Sequence, residues 1–142
     1  MQTTNQIDVE LPLKKVAELY TCRDLLPLWS PGFLSFEVLC DETAGRPFRY
    51  RQRYLAMGRE IDEVGTLLEN NLPHGFCIRA DNGGTLTRES RITFEEMGES
   101  ITRMIVRNTF SGEHIVHLVK PDLQHTTQQF LEAFKAFAER RG

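Results

Sequence analysis

Cysteine is scarce in this sequence. Cys22, Cys40 and Cys77 stand far apart, and no C-x-x-C occurs. An odd, widely spaced set argues against a disulfide framework and for free thiols in a reducing cytoplasm. Charge of one sign is also lacking. The net charge is only −3, so nothing draws in nucleic acid or an anionic membrane from a distance. No apolar run approaches the ~20 residues that span a bilayer, so no integral membrane segment is expected. Residues Met1 to Gln6 carry neither a basic stretch nor an apolar one, and no secretory signal is read there.

Motifs of familiar chemistry are missing as well. There is no G-x-S-x-G, no Walker-type loop and no dinucleotide-binding glycine pattern. Cys22 and Cys77 have no activating neighbour in sequence, which argues against a nucleophile. His114 and His117 would share a helical face, but no carboxylate or thiolate stands at ligand spacing beside them. His74 follows a proline in a loop, and His125 lies on the polar side of a helix. No metal or cofactor is expected.

What is present is an ordinary domain. The 142 residues, 40% apolar and 26% charged, fit one domain spanning 1–142, with no linker, repeat or low-complexity stretch. A chain of this size buries roughly two-thirds of its unfolded surface, enough for a core without staples. Thr3 to Leu11 alternates, with Ile7, Val9 and Leu11 on one face, and reads as a half-buried strand. Pro12 suits the first turn of a helix in which Leu13, Val16, Ala17 and Tyr20 recur. A second short helix, Leu25 to Trp29, has Asp24 as its predicted cap.

From Phe33 to Phe110 the pattern is of strands: Leu34–Cys40, Phe48–Met57, Arg59–Asn70, Phe76–Ala80, Thr85–Glu96 and Ser100–Phe110. Turn residues separate them at Gly45 and Pro47, Gly58, Pro73 to Gly75, Asp81 to Gly84, and Gly98. Short connections predict an antiparallel meander. Then the period changes. Leu123, Phe130, Leu131, Phe134, Phe137 and Ala138 form one broad helical stripe, with Asp122 as the predicted cap. The fold class is α+β, with a curved seven-stranded antiparallel sheet around a long C-terminal helix and two short helices after strand one. Such a sheet covers its apolar face with the helix and leaves a gap where side chains fail to meet.

This order resembles the START-related superfamily, also called SRPBCC or the polyketide cyclase/dehydrase and lipid-transport superfamily. The local likeness lies in Leu28-Trp29-Ser30-Pro31-Gly32-Phe33 followed by Phe36-Glu37-Val38-Leu39, and in Phe134-Lys135-Ala136-Phe137-Ala138-Glu139. The resemblance implies the helix-grip fold and an internal ligand cavity. It implies less about activity, because the fold hosts many.

Hairpin pairing selects the inward residues. A two-residue turn at Met57-Gly58 sets Tyr54 against Ile61, Gln52 against Glu63 and Tyr50 against Gly65. Arg53 and Asp62 then form an outer ion pair. Gly65 itself reads as a bulge. A three-residue turn at Met97-Gly98-Glu99 sets Arg88 against Asn108 and Ser90 against Val106, with Glu89 against Arg107 outside. The predicted interior is apolar, with Gln52, Glu63, Arg88, Ser90 and Asn108 as polar exceptions; Glu63 and Arg88 are candidate partners. The candidate ligand-binding set is Trp29, Tyr50, Gln52, Tyr54, Glu63, Arg88, Ser90, Met104, Asn108, Phe130 and Phe134. Trp29 either meets a ligand at the cavity mouth or packs the helix-to-strand corner, the commoner use.

The first functional expectation is binding or transport of a small hydrophobic molecule, such as a lipid, isoprenoid or aromatic metabolite. The alternative is an enzyme resembling the polyketide cyclases and aromatases, with Arg88, Tyr50, Tyr54 and Glu63 moving protons. A third class, a protein-interaction module, needs a large exposed apolar patch that the sequence does not locate. The expected partners are that small ligand and no nucleic acid, in a cytoplasmic monomer or weak homodimer.

Overall fold

A computed structural model describes residues 1–43, 45–83 and 85–141. Gly84 of the predicted turn and the final Gly142 lie outside the described residues. The chain runs β1 (Gln2–Val9), α1 (Leu13–Thr21), a 3-10 turn (Arg23–Leu25), α2 (Leu26–Trp29), β2 (Phe33–Cys40) and β3 (Arg49–Ala56). It continues through β4 (Arg59–Asn70), β5 (Gly75–Asp81), β6 (Thr87–Gly98) and β7 (Ile101–Ser111), a second 3-10 turn (Glu113–His117), and α3 (Lys120–Arg141). The strands form one seven-stranded antiparallel sheet in the order β1-β7-β6-β5-β4-β3-β2. The element order is as the sequence predicts.

Neither predicted aspartate cap forms. Asp24 lies inside the 3-10 turn that leads into α2, whose start has no side-chain cap. Asp122 lies within the first turn of α3, where its charge suits the helix dipole.

The β3–β4 hairpin takes the predicted register, with Tyr50 opposite Gly65, Gln52 opposite Glu63 and Tyr54 opposite Ile61. Its turn has positive φ at both Met57 (52°) and Gly58 (73°), the signature of a type I′ turn that matches strand twist. The outer ion pairs differ from expectation. Arg53 faces Asp62 across the ladder, yet Arg51 pairs with Asp62 and Arg53 with Glu60, each at 2.6 Å. Sheet twist brings diagonal neighbours together for long side chains. Gly65 is no bulge; the nearby irregularity falls between Leu67 and Glu69. A Cβ on Gly65 would lie 2.1 Å from Tyr50 Cζ, so the glycine makes room for that ring.

The β6–β7 hairpin slips by two residues from the predicted register. Phe94 faces Met104, Ser90 faces Asn108 and Arg88 faces Phe110. The turn is shorter than predicted, and an irregularity between Glu96 and Gly98 absorbs the difference. The expected Glu89–Arg107 pair is absent: Glu89 faces Thr109 and Arg91 faces Arg107. Arg91 instead leans across Cys77 to bind Glu69 through two hydrogen bonds of 3.0 and 3.2 Å. Because the slip is even, every inward residue stays inward.

α3 lies along the concave face and is tied to β1. Asn5 Nδ2 donates to the Gln124 carbonyl at 2.9 Å and to Gln128 Oε1 at 3.1 Å. Glu139 accepts from the Glu10 backbone N–H at 2.7 Å. Phe134 and Leu131 are fully buried, with Leu123, Phe137 and Ala138 beside them. α1 and α2 close one end. Tyr20 and Trp29 each place a ring centroid 5.1 Å from that of Phe134 in edge-on contact.

Candidate functional site

A cavity of about 800 Å³ lies between the concave face of the sheet and α3. Strand alternation supplies its wall. Phe36, Phe48, Leu67, Ile78, Leu86, Ile92, Val106 and Phe110 project into it from β2 through β7 and their loops. α3 contributes Leu123, Thr126, Thr127, Phe130 and Leu131, while α1 and α2 contribute Tyr20 and Trp29. Phe36 stacks on Tyr50 with centroids 4.9 Å apart, fixing the ring that fills the space above Gly65. At the rim, the Arg23 guanidinium sits 5.3 Å over the Phe48 ring.

Two polar clusters interrupt this apolar wall. In the first, Arg88 Nη2 donates to Glu63 Oε1 at 2.9 Å and Nη1 donates to the Tyr54 hydroxyl at 3.3 Å. Glu63 is 6% exposed, whereas the Arg88 side chain keeps 24% of its accessible surface, which faces the cavity. The Arg88 Nε–H is buried and finds no acceptor among the described residues, and neither does the Trp29 indole N–H. In the second cluster, the Ser90 hydroxyl donates to Asn108 Oδ1, whose amide donates to Thr127 Oγ1 at 3.4 Å.

The surroundings of Arg88 and its neighbouring tyrosines favour a charged guanidinium and neutral phenols. Burial alone would lower the Arg88 pKa, but the Glu63 carboxylate and the Tyr54 and Tyr50 hydroxyls outweigh it and leave it raised. Burial pushes the Tyr50, Tyr54 and Tyr20 phenols up, with Arg88 only partly opposing. All three tyrosines therefore stay neutral through the physiological range.

No protein-family model matches the sequence, and no curated protein matches it. Solved structures do. TTHA0849 from Thermus thermophilus superposes with a TM-score of 0.82 at 18% identity, over 100% of this chain and 99% of that one. A START superfamily protein from Mycobacterium smegmatis gives 0.77 at 15% identity, over 99% and 95%. The Zhui aromatase/cyclase from Streptomyces sp. R1128 gives 0.80 at 12% identity, over 99% and 94%. The chain has the helix-grip fold. The START-like resemblance read from the sequence holds at that level.

Within the helix-grip cavity the sequence-selected residues separate by depth. Trp29, Tyr50, Gln52, Tyr54, Glu63, Arg88, Ser90, Asn108 and Phe130 line it. Met104 and Phe134 do not; both have no accessible surface and pack in the core beneath the cavity floor. Trp29 both packs against Phe134 and borders the cavity. Sequence reasoning missed Tyr20, Phe36 and Thr127 as lining residues. Thr127 carried a signal, being polar between Leu123 and Leu131 at helical spacing. His114 and His117 lie outside the lining, and among the described residues no cluster of His, Cys, Asp or Glu is arranged to hold a metal. No helix among them is long and apolar enough to cross a membrane.

Proposed function

We propose that this chain binds and carries a small, mainly apolar molecule, a lipid, isoprenoid or aromatic metabolite, inside the helix-grip cavity. The observation that carries this reading is an 800 Å³ space with predominantly apolar walls and one buried Arg88–Glu63 pair opening into it. A volume of that order suits a single small ligand. The residues proposed to contact it are Trp29, Tyr50, Gln52, Tyr54, Glu63, Arg88, Ser90, Asn108 and Phe130. The free thiols of Cys22, Cys40 and Cys77 suit a reducing compartment, and the proposal places the protein in the cytoplasm as a monomer or weak homodimer. Solvent extraction of freshly purified protein followed by mass spectrometry tests the binding reading. An apolar molecule recovered in stoichiometric amount supports it. Repeated recovery of none, together with no uptake of neutral hydrophobic dyes, counts against it.

A cyclase-like enzyme is the second reading. It is favoured by the Tyr54–Arg88–Glu63 array and by the fold shared with the Zhui aromatase/cyclase. Donors aimed into an apolar-walled cavity can hold a carbonyl while a proton moves. Incubation with a linear poly-β-ketone thioester, with product analysis by mass spectrometry, separates the two readings. Water loss from the chain supports the enzyme, and unchanged substrate supports the carrier.

A further inference from the structure

The first polar cluster narrows the ligand class, an inference that rests on the cavity-binding reading above. A guanidinium has five N–H donors in a fixed planar fork. Glu63 takes one and Tyr54 takes one at the long distance of 3.3 Å. Nε–H is buried and reaches neither a protein acceptor among the described residues nor the cavity. The spare donors are the second N–H groups of Nη1 and Nη2, on a side chain that keeps 24% of its surface toward the cavity. Donor capacity therefore remains where a ligand would sit. Glu63, 2.9 Å from Arg88 and almost wholly buried, already neutralises the charge. The other charged groups on the lining, Arg23, Asp41 and Glu42, are exposed and screened by water. A carboxylate ligand beside Arg88 would thus add a second buried negative charge next to Glu63, with no second buried cation among the described lining residues to match it. A ketone, ester or quinone oxygen would accept from the open donors and bring no charge.

We infer that the cavity selects an uncharged apolar ligand bearing an oxygen acceptor, seated against Arg88, and discriminates against the corresponding acid. Arg88 supplies the hydrogen bond, Glu63 supplies the discrimination, and the apolar wall supplies the rest of the binding.

Pyrene, 1-acetylpyrene and 1-pyrenecarboxylate test this, because they share one ring system and differ in the group presented. Fluorescence titration of the wild type is expected to show 1-acetylpyrene binding about tenfold tighter than pyrene, the worth of one charge-assisted hydrogen bond. The carboxylate is expected to bind no tighter than pyrene. Glu63→Gln keeps an acceptor for Arg88 and removes the negative charge, so the carboxylate should gain about tenfold. Arg88→Met combined with Glu63→Gln leaves no buried charge, and the three probes should then bind within about threefold of one another. If that double variant does not fold by circular dichroism, the single Glu63→Gln arm decides. Wild-type preference for the carboxylate over the ketone, or equal binding of ketone and pyrene, overturns the inference while leaving the cavity reading intact. Failure of pyrene itself to bind overturns both.

Discussion

Gly65 and Tyr50 show how one residue shapes the cavity wall. The ring of Tyr50 occupies the place where a side chain at position 65 would begin, and Phe36 and Phe48 hold that ring from the other side. Gly65→Ala should therefore destabilise the protein by about 1–3 kcal/mol, the range for overpacking. Combined with Tyr50→Leu, the cost of Gly65→Ala should largely vanish, a coupling that denaturant melts of the two single variants and the double variant will measure. Additive costs would mean that the two positions do not compete for space. The polar lining was legible at this scale because alternation assigns a face: Arg88, Ser90 and Glu63 were predicted inward and are inward. Depth was not legible. Met104 and Phe134 share a face with true lining residues, yet lie under the floor, since period alone says nothing about distance along the cavity axis. Diagonal choices of partner were equally invisible, as with Arg51 and Asp62.

At the scale of elements, α3 is gripped rather than merely adjacent. Its apolar stripe, read directly from the spacing of Leu123, Leu131, Phe134 and Phe137, is buried against the sheet and the two short helices. Phe134→Ala should cost about 3–5 kcal/mol, measured by urea unfolding, because a fully buried ring leaves a cavity among Tyr20 and Trp29. A loss below about 1 kcal/mol would mean that the helix does not depend on its stripe. The Asn5 side chain, buried and donating twice to α3, ties the edge strand down. Asn5→Ala should cost about 1–2 kcal/mol in the same assay, with amide exchange in β1 accelerated first. That strap was hidden in the sequence, where Asn5 reads only as one more polar residue at a strand start. The β6–β7 register was hidden for a related reason. Turn length at Met97 to Ser100 is set by the irregularity after Glu96, and several turns satisfy the same residues. The even slip left the wall intact because side-chain direction repeats every second residue.

At the scale of the whole molecule, burial of Tyr20, Tyr50 and Tyr54 makes stability sensitive to alkali. Their folded pKa values lie above the ordinary tyrosine value of 10.0, so the folded state holds protons that the unfolded state has released. Stability should be level through neutral pH and fall as pH rises beyond the unfolded value, and Tyr50→Phe should soften that fall. Thermal melts across the alkaline range will show it, and a fall beginning near neutrality would contradict it. On the acid side the carboxylate partners of arginine and lysine act oppositely. Asp8, Asp62, Glu69 and Glu139 are held below their ordinary values by hydrogen bonds to Arg103, Arg51, Arg91 and Lys135 respectively. Their contribution is present above the unfolded carboxylate values and is lost as pH falls through the folded ones. The central claim, that the space between sheet and α3 is a ligand site, is tested most directly by filling it. Ile78 lines the cavity from the middle of the sheet and is only half-buried, so Ile78→Trp places an indole in the space while leaving the core beneath untouched. Titration with the neutral dye Nile red should show one bound molecule with blue-shifted emission in the wild type, and affinity at least about tenfold weaker in Ile78→Trp at similar melting temperature. Equal Nile red affinity in both proteins would place the dye elsewhere and contradict the account.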